Sequence, residues 1–136
     1  MPFDVSWYDE AQTIIRILVH GRPTWEEYHE AIDKVIKELE ASPKRIDMVL
    51  DDKVGMPPGN PMPHLKAALD KATKHPNLGM SMSVSERSVA LFPSLMMETA
   101  GRLYGVDLKR YGRFVKSMDE AVNIIQADRA KAQSSS

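Results

Sequence analysis

The most constraining feature of the sequence is an abrupt change of period. Thr13-Ile14-Ile15-Arg16-Ile17-Leu18-Val19-His20 is a β-branched run that suits a strand, and Gly21-Arg22-Pro23 ends it. Thr24-Trp25-Glu26-Glu27 follows at once with the layout of a capping box, in which the Thr24 hydroxyl accepts from the Glu27 amide and the Glu27 carboxylate reaches back. Trp25, Tyr28, Ile32, Val35, Ile36 and Leu39 then recur at helical spacing, with Glu26, Glu30, Lys34 and Lys37 on other faces, until Ser42-Pro43 stops the pattern.

The same switch repeats along the chain. Phe3, Val5 and Trp7 alternate with polar neighbours before Asp9-Glu10-Ala11-Gln12 interrupts, which predicts a strand and a turn ahead of Thr13. Ile46 to Leu50 predicts a third strand. Asn60-Pro61 then predicts a helix N-cap followed by proline at the first helical position. Met62, Leu65, Ala68, Leu69 and Ala72 make the buried stripe of that helix, with Lys71, Lys74 and His75 near its negative end. Met80, Met82 and Val84 alternate with Ser81, Ser83 and Ser85, a fourth strand that is half apolar and half small-polar. Residues 85–104 read as helical but contain Pro93, which costs about 3 kcal/mol in a helix interior, so a kink or break is expected near Phe92. Arg113 to Lys116 predicts a short last strand. Ser117-Met118-Asp119-Glu120 is a second capping box ahead of an inner helical face of Met118, Ala121, Val122 and Ile125.

The order is thus β-β-α-β-α-β-α-β-α. Such alternation predicts an α/β fold with a mostly parallel sheet of about five strands and an N-terminal antiparallel edge hairpin. The length of 136 residues suits one domain with a real core. It is expected to span 1–130, with 131–136 a short disordered tail.

Composition narrows the function classes. The absence of cysteine removes disulfides, thiolate nucleophiles and cysteine metal sites, and makes the cytoplasm the expected compartment. The N-terminal MPFDVSWYDE lacks the basic-then-apolar layout of a signal peptide, and no apolar run approaches the roughly 20 residues of a membrane span. With 18 basic and 19 acidic residues there is no global field toward nucleic acid. Lys109, Arg110, Arg113 and Lys116, interleaved with Tyr104, Tyr111 and Phe114, read as a solvated loop before an edge strand rather than a nucleic-acid patch.

Ligands of parallel sheets sit beyond the carboxyl ends of the strands, and here those ends carry His20, Asp51, Asp52, Ser85, Glu86 and Lys116. Asp51, Asp52 and His64 could ligate a metal by residue type, but adjacent acids diverge and no metal-binding spacing is present, so the acids read as turn formers. Ser85 or Ser88 with His20 and Asp51 would make a hydrolase triad, yet SVSER lacks the glycines of a nucleophile elbow, and Ser85 reads as a helix N-cap. The glycines and prolines of Val54 to Pro63 match no phosphate-binding loop, and proline removes the amides that would cradle an anion. Met56, Met62, Met80, Met82, Met96 and Met97 could line an adaptable apolar groove, although methionines alternating in a strand usually face a core.

The succession of elements, with GRPTWEEYHEAIDKVI after the second strand, IDMVLDD in the third and SMDEAVNII at the end, resembles the STAS domains. These are named for sulfate transporters and anti-sigma-factor antagonists, and the likeness is to their divergent SpoIIAA-like branch. The resemblance runs from about Val5 to Ile125. It implies a non-enzymatic, bacterial-type regulatory or protein-interaction module. In the antagonists a serine in the loop after the third strand is phosphorylated to control partner binding. The corresponding loop here, Asp51 through Pro63, holds no Ser or Thr, so the phosphorylatable hydroxyl is missing. A protein partner or a second copy of the chain is therefore expected on a rim made of Asp51, Asp52, Met56, Met62, His64, Ser83, Ser85 and Met96. Binding of a small apolar, lipid-like ligand in a methionine-lined groove is the alternative, and a Ser/His hydrolase ranks third. No cofactor, metal, nucleic acid or membrane span is expected.

Overall fold

The computed structural model describes residues 2–55, 57–85, 102, 105, 107 and 110–134. Their strands are β1 (Phe3–Trp7), β2 (Ile14–Val19), β3 (Ile46–Asp52), β4 (Leu78–Val84) and β5 (Tyr111–Val115), and their helices are α1 (Trp25–Ala41), α2 (Met62–Ala72) and α3 (Met118–Ser134). The strands form one mixed sheet in the order β1-β2-β3-β4-β5, with β1 antiparallel to β2 and the remaining pairs parallel. The α/β class, the strand number and the antiparallel edge hairpin agree with the alternation in the sequence. The kinked helix expected across 85–104 falls, apart from Ser85 and Arg102, outside the described residues.

Successive side chains of a strand point to opposite faces, and the two faces bury different partners. Ile15, Ile17, Val19, Met48 and Leu50 pack beneath Tyr28, Ile32, Val35 and Leu39 of α1 and Ala68 and Ala72 of α2. Ile14, Val49, Met80, Met82, Val84 and Val115 pack on the other face with Ala121 and Ile125 of α3. All of β4 is therefore buried, including Ser81 and Ser83. The alternation of Met and Ser suggests one wet face, but a parallel sheet is covered on both, so the small hydroxyl residues are enclosed too.

The helix starts follow local chemistry. At α1 the capping box is complete: the Glu27 amide donates to Thr24 Oγ1 at 3.2 Å and the Thr24 amide donates to Glu27 Oε1 at 3.1 Å. At α2 the Asn60 side chain accepts the Met62 amide at 3.1 Å and Pro61 is already helical in φ and ψ, although the regular helix runs from Met62, one residue after the start an Asn60 cap predicts. At α3 the Glu120 amide donates to Ser117 Oγ at 3.1 Å, but the Glu120 carboxylate takes the amide of Lys116, not of Ser117. This helix continues to Ser134, which corrects the tail expected from 131: Ala130, Lys131, Ala132 and Gln133 are strong helix formers with no breaker among them.

One polar network ties α3 to the sheet. Asp47 is fully buried and accepts from Arg129 Nη2 at 2.6 Å, Arg45 Nη2 at 2.8 Å and the Met80 amide at 2.6 Å. Arg129 also donates to the Thr13 carbonyl at 3.0 Å, and Asp128 receives Arg45 at 2.8 Å and Arg110 at 3.2 Å. These contacts join β2, β3, β4 and α3 at the end of the sheet opposite the ligand-side rim.

Candidate functional site

The segment from Lys53 to Pro61 leaves β3 at the carboxyl ends of the strands and leads into α2. Its shape is set by short-range bonds. Asp52 Oδ1 accepts the amides of Val54 at 3.1 Å and Gly55 at 2.7 Å, which closes a turn on the side chain. Gly55 and Gly59 then take φ of +97° and +103°, a left-handed region where a Cβ would be strained. The middle of the loop is held from across the fold, because Trp25 Nε1 donates to the Pro58 carbonyl at 3.0 Å.

Trp25 also organises the start of α2. The His64 ring lies on its indole with centroids 4.1 Å apart and planes within 4°. His64 Nδ1 meets His29 Nε2 of α1 at 2.9 Å, a hydrogen bond in which one imidazole donates and the other accepts. Beneath them Tyr28 is buried, its ring edge-on to Trp25 at 5.4 Å and to Phe3 at 6.0 Å, and burial pushes its phenol up. His29 is held below the ordinary histidine value by burial first, then by His64 and Lys71, against the opposing pull of Asp33.

The expected rim residues separate into two groups. Asp52, Met62 and His64 flank the loop on the α1–α2 side. Asp51 points to the opposite face and is not a solvated turn former: its side chain is 1% exposed and takes Arg16 Nε at 2.9 Å and Nη2 at 2.6 Å. The difference arises because β3 continues to Asp52, so the two acids alternate across a strand that is covered on both sides. Asp51 Oδ1 is buried and accepts no well-directed hydrogen bond, with the Lys53 ammonium 3.3 Å away supplying the opposing charge. Ser83 is enclosed in the sheet at 6% exposure, and Ser85 donates its amide to the Val115 carbonyl at 2.9 Å. Met56 and Met96 lie outside the described residues.

Several other arrangements do not assemble. Of the candidate hydrolase residues, Ser88 lies outside the described residues, and His20 and Asp51 have separate partners, His20 Nε2 bonding Asp4 at 2.8 Å and Asp51 bonding Arg16 Nη2 at 2.6 Å. Met80 and Met82 face α3 and Met62 belongs to α2 on the opposite side of the sheet, so the described methionines are divided by β3 and β4 and do not share one groove. In the basic segment, Arg110 is engaged by Asp128 and lies over the Tyr111 ring at 5.9 Å. Among the described residues no cluster of three or more His, Asp or Glu side chains could hold a metal ion. No helix among them is long and apolar enough to cross a membrane.

Trp25 and His29 are the site residues that sequence reasoning places elsewhere. By its sequence Trp25 belongs to the apolar stripe of α1, and His29 reads as a surface or satisfied histidine and not as a base. Their signal is the spacing of four, which puts both rings on one side of the first turn of α1. What α2 brings against them is a tertiary fact.

In comparison with known proteins, no family model matches the chain, and neither a curated protein nor a solved structure matches it.

Proposed function

We propose that the chain is a divergent STAS-like regulatory module of the cytoplasm that binds a protein partner through the loop from Lys53 to Pro61 and the first turn of α2. The observation that carries this reading is a shaped loop that presents an apolar tip. Val54 is 48% exposed, and Tyr8 at 44% is the other large hydrophobic side chain so displayed among the described residues. The groups around Val54 that could do chemistry are spent on holding the loop: Asp52 on two amides, Trp25 on Pro58, and His64 on Trp25 and His29.

Such preorganisation favours recognition, because a loop already fixed by turn bonds and prolines loses little further entropy when a partner seats on it. The partner's complementary surface is an apolar pocket for Val54 with an acidic rim for the exposed Lys53. The mixed sheet and the position of the loop after β3 accord with the resemblance in the sequence. Without a hydroxyl from Asp51 to Pro63, a kinase has nothing to modify in this loop, and control must act by another route.

A photo-crosslinking residue at position 54 tests the reading, with one at the exposed Lys37 on α1 as control. A discrete protein adduct at 54 that is absent at 37 is expected, and Val54→Asp should prevent complex formation in native mass spectrometry. An adduct with the chain itself would identify the partner as a second copy. Equal labelling at both positions, or none, sinks the proposal.

A further inference from the structure

We propose that the His29–His64 hydrogen bond is a proton-operated latch: a second proton on the pair releases the start of α2 and, through Trp25, the partner-binding loop from Lys53 to Pro61. The inference rests on the functional reading above and supplies its regulation, in place of the missing hydroxyl.

The geometry gives the latch its logic. His29 Nε2 and His64 Nδ1 lie 2.9 Å apart, so one nitrogen carries the hydrogen and the other offers a lone pair. Two neutral rings satisfy this with suitable tautomers. One proton on the pair preserves it and adds charge to the bond, which strengthens it. Two protons leave donor facing donor, with like charges in contact. It therefore takes a proton on both rings, not on one, to break the contact.

The charges bearing on His29 come from both helices. His64 and Lys71 of α2 disfavour its cation, Asp33 of α1 favours it, and Lys71 and Asp33 are themselves 3.4 Å apart. Burial is the largest influence, and the balance holds His29 low. The folded chain thus binds fewer protons here than the unfolded chain. The contact is fully present above about pH 6.5 and is lost as pH falls through the depressed folded value.

The release reaches the loop because the same ring has two jobs. His64 stacks on Trp25 at 4.1 Å, and Trp25 holds the Pro58 carbonyl at 3.0 Å. Repulsion from His29 lifts His64 from the indole and frees the bond that spans from α1 to the loop.

The test follows imidazole nitrogen resonances by NMR alongside amide hydrogen exchange, on the full chain. Protonation of His29, below the ordinary histidine range, should coincide with the opening of the loop. Loop amides such as Gly55, corrected for intrinsic exchange, should lose about fivefold protection between about pH 7 and about pH 5. His64→Phe keeps a ring on Trp25 without a proton, and His29→Gln keeps a partner for His64 that does not titrate. Either should abolish the pH response, which keeps the test available if one variant fails to fold. Protonation of His29 that leaves loop protection unchanged in the wild type, or the same pH response in the variants, would overturn the latch. These readouts need no partner, so a loop that opens in acid but crosslinks to nothing overturns the binding proposal and leaves the latch standing.

Discussion

A Cβ on Gly79 would stand 2.8 Å from Cγ of Asp47, and nearer still to its Oδ1. The two residues face each other where the β3–β4 ladder slips: Ile46 pairs with Leu78 but Met48 pairs with Ser81, so β4 carries one residue more than β3. Asp47 fills the break by accepting the Met80 amide at 2.6 Å, in place of a main-chain carbonyl. Glycine is required by this close approach and not by a positive φ.

Gly79→Ala should therefore lower stability by about 3 kcal/mol, because the displaced Asp47 is fully buried and bonded to two arginines. Urea denaturation followed by circular dichroism measures the loss. A change under about 1 kcal/mol would mean that the bulge relaxes without disturbing the network.

How much of this was legible in the sequence varies with the range of the interaction. Thr24 to Glu27 and Ser117 to Glu120 reveal their helix starts because caps are made within four residues. The strands were legible as a β-branched run in β2 and as short apolar or alternating runs elsewhere, and their alternation with helices implied a parallel sheet. Asp47 was visible only as an interruption of the run from Ile46 to Leu50, since its partners Arg129 and Met80 come from 82 and 33 positions away. The same limit explains Asp51 and Asp52. As a dipeptide they read as turn residues, and only the length of β3 and the position of Arg16 separate one into an ion pair and the other into a turn.

Asp51 and Arg16 carry a second prediction. Arg16→Met leaves a carboxylate that is 1% exposed with only Lys53 at 3.3 Å, and should cost about 3 kcal/mol. Adding Asp51→Leu should restore most of that loss, because removing both charges also removes the desolvation cost. Thermal melts of the two variants decide the matter: a double variant no more stable than the single one would show that the pair is not coupled as described.

Acid stability should report on Asp128. Burial works against its charge, but the Arg45 hydrogen bond and the charges of Arg110 and Arg45 outweigh this and hold its carboxyl below the usual carboxylate range. The folded state then binds fewer protons at Asp128 than the unfolded state, so its contribution is complete above about pH 4 and is lost as pH falls through the lower folded value. Asp128→Asn should be less stable than wild type near neutrality, with the difference narrowing below about pH 4. Urea midpoints across that range provide the measurement, and a constant difference would contradict it.

Trp25→Phe separates the two roles of the indole. A phenyl ring keeps an aromatic surface for His64, which now lies 4.1 Å away, but has no N–H to donate to the Pro58 carbonyl. The lost bond is solvent-exposed, so global stability should fall by no more than about 1 kcal/mol. The local effect should be larger than that figure suggests, because this bond reaches from α1 to the middle of the loop. Hydrogen exchange should show the amides of Val54 and Gly55 losing protection while those of Leu65 and Leu69 in α2 keep theirs. If α2 loosens to the same extent, the indole supports the helix as a whole, and its bond to Pro58 is not what fixes the loop.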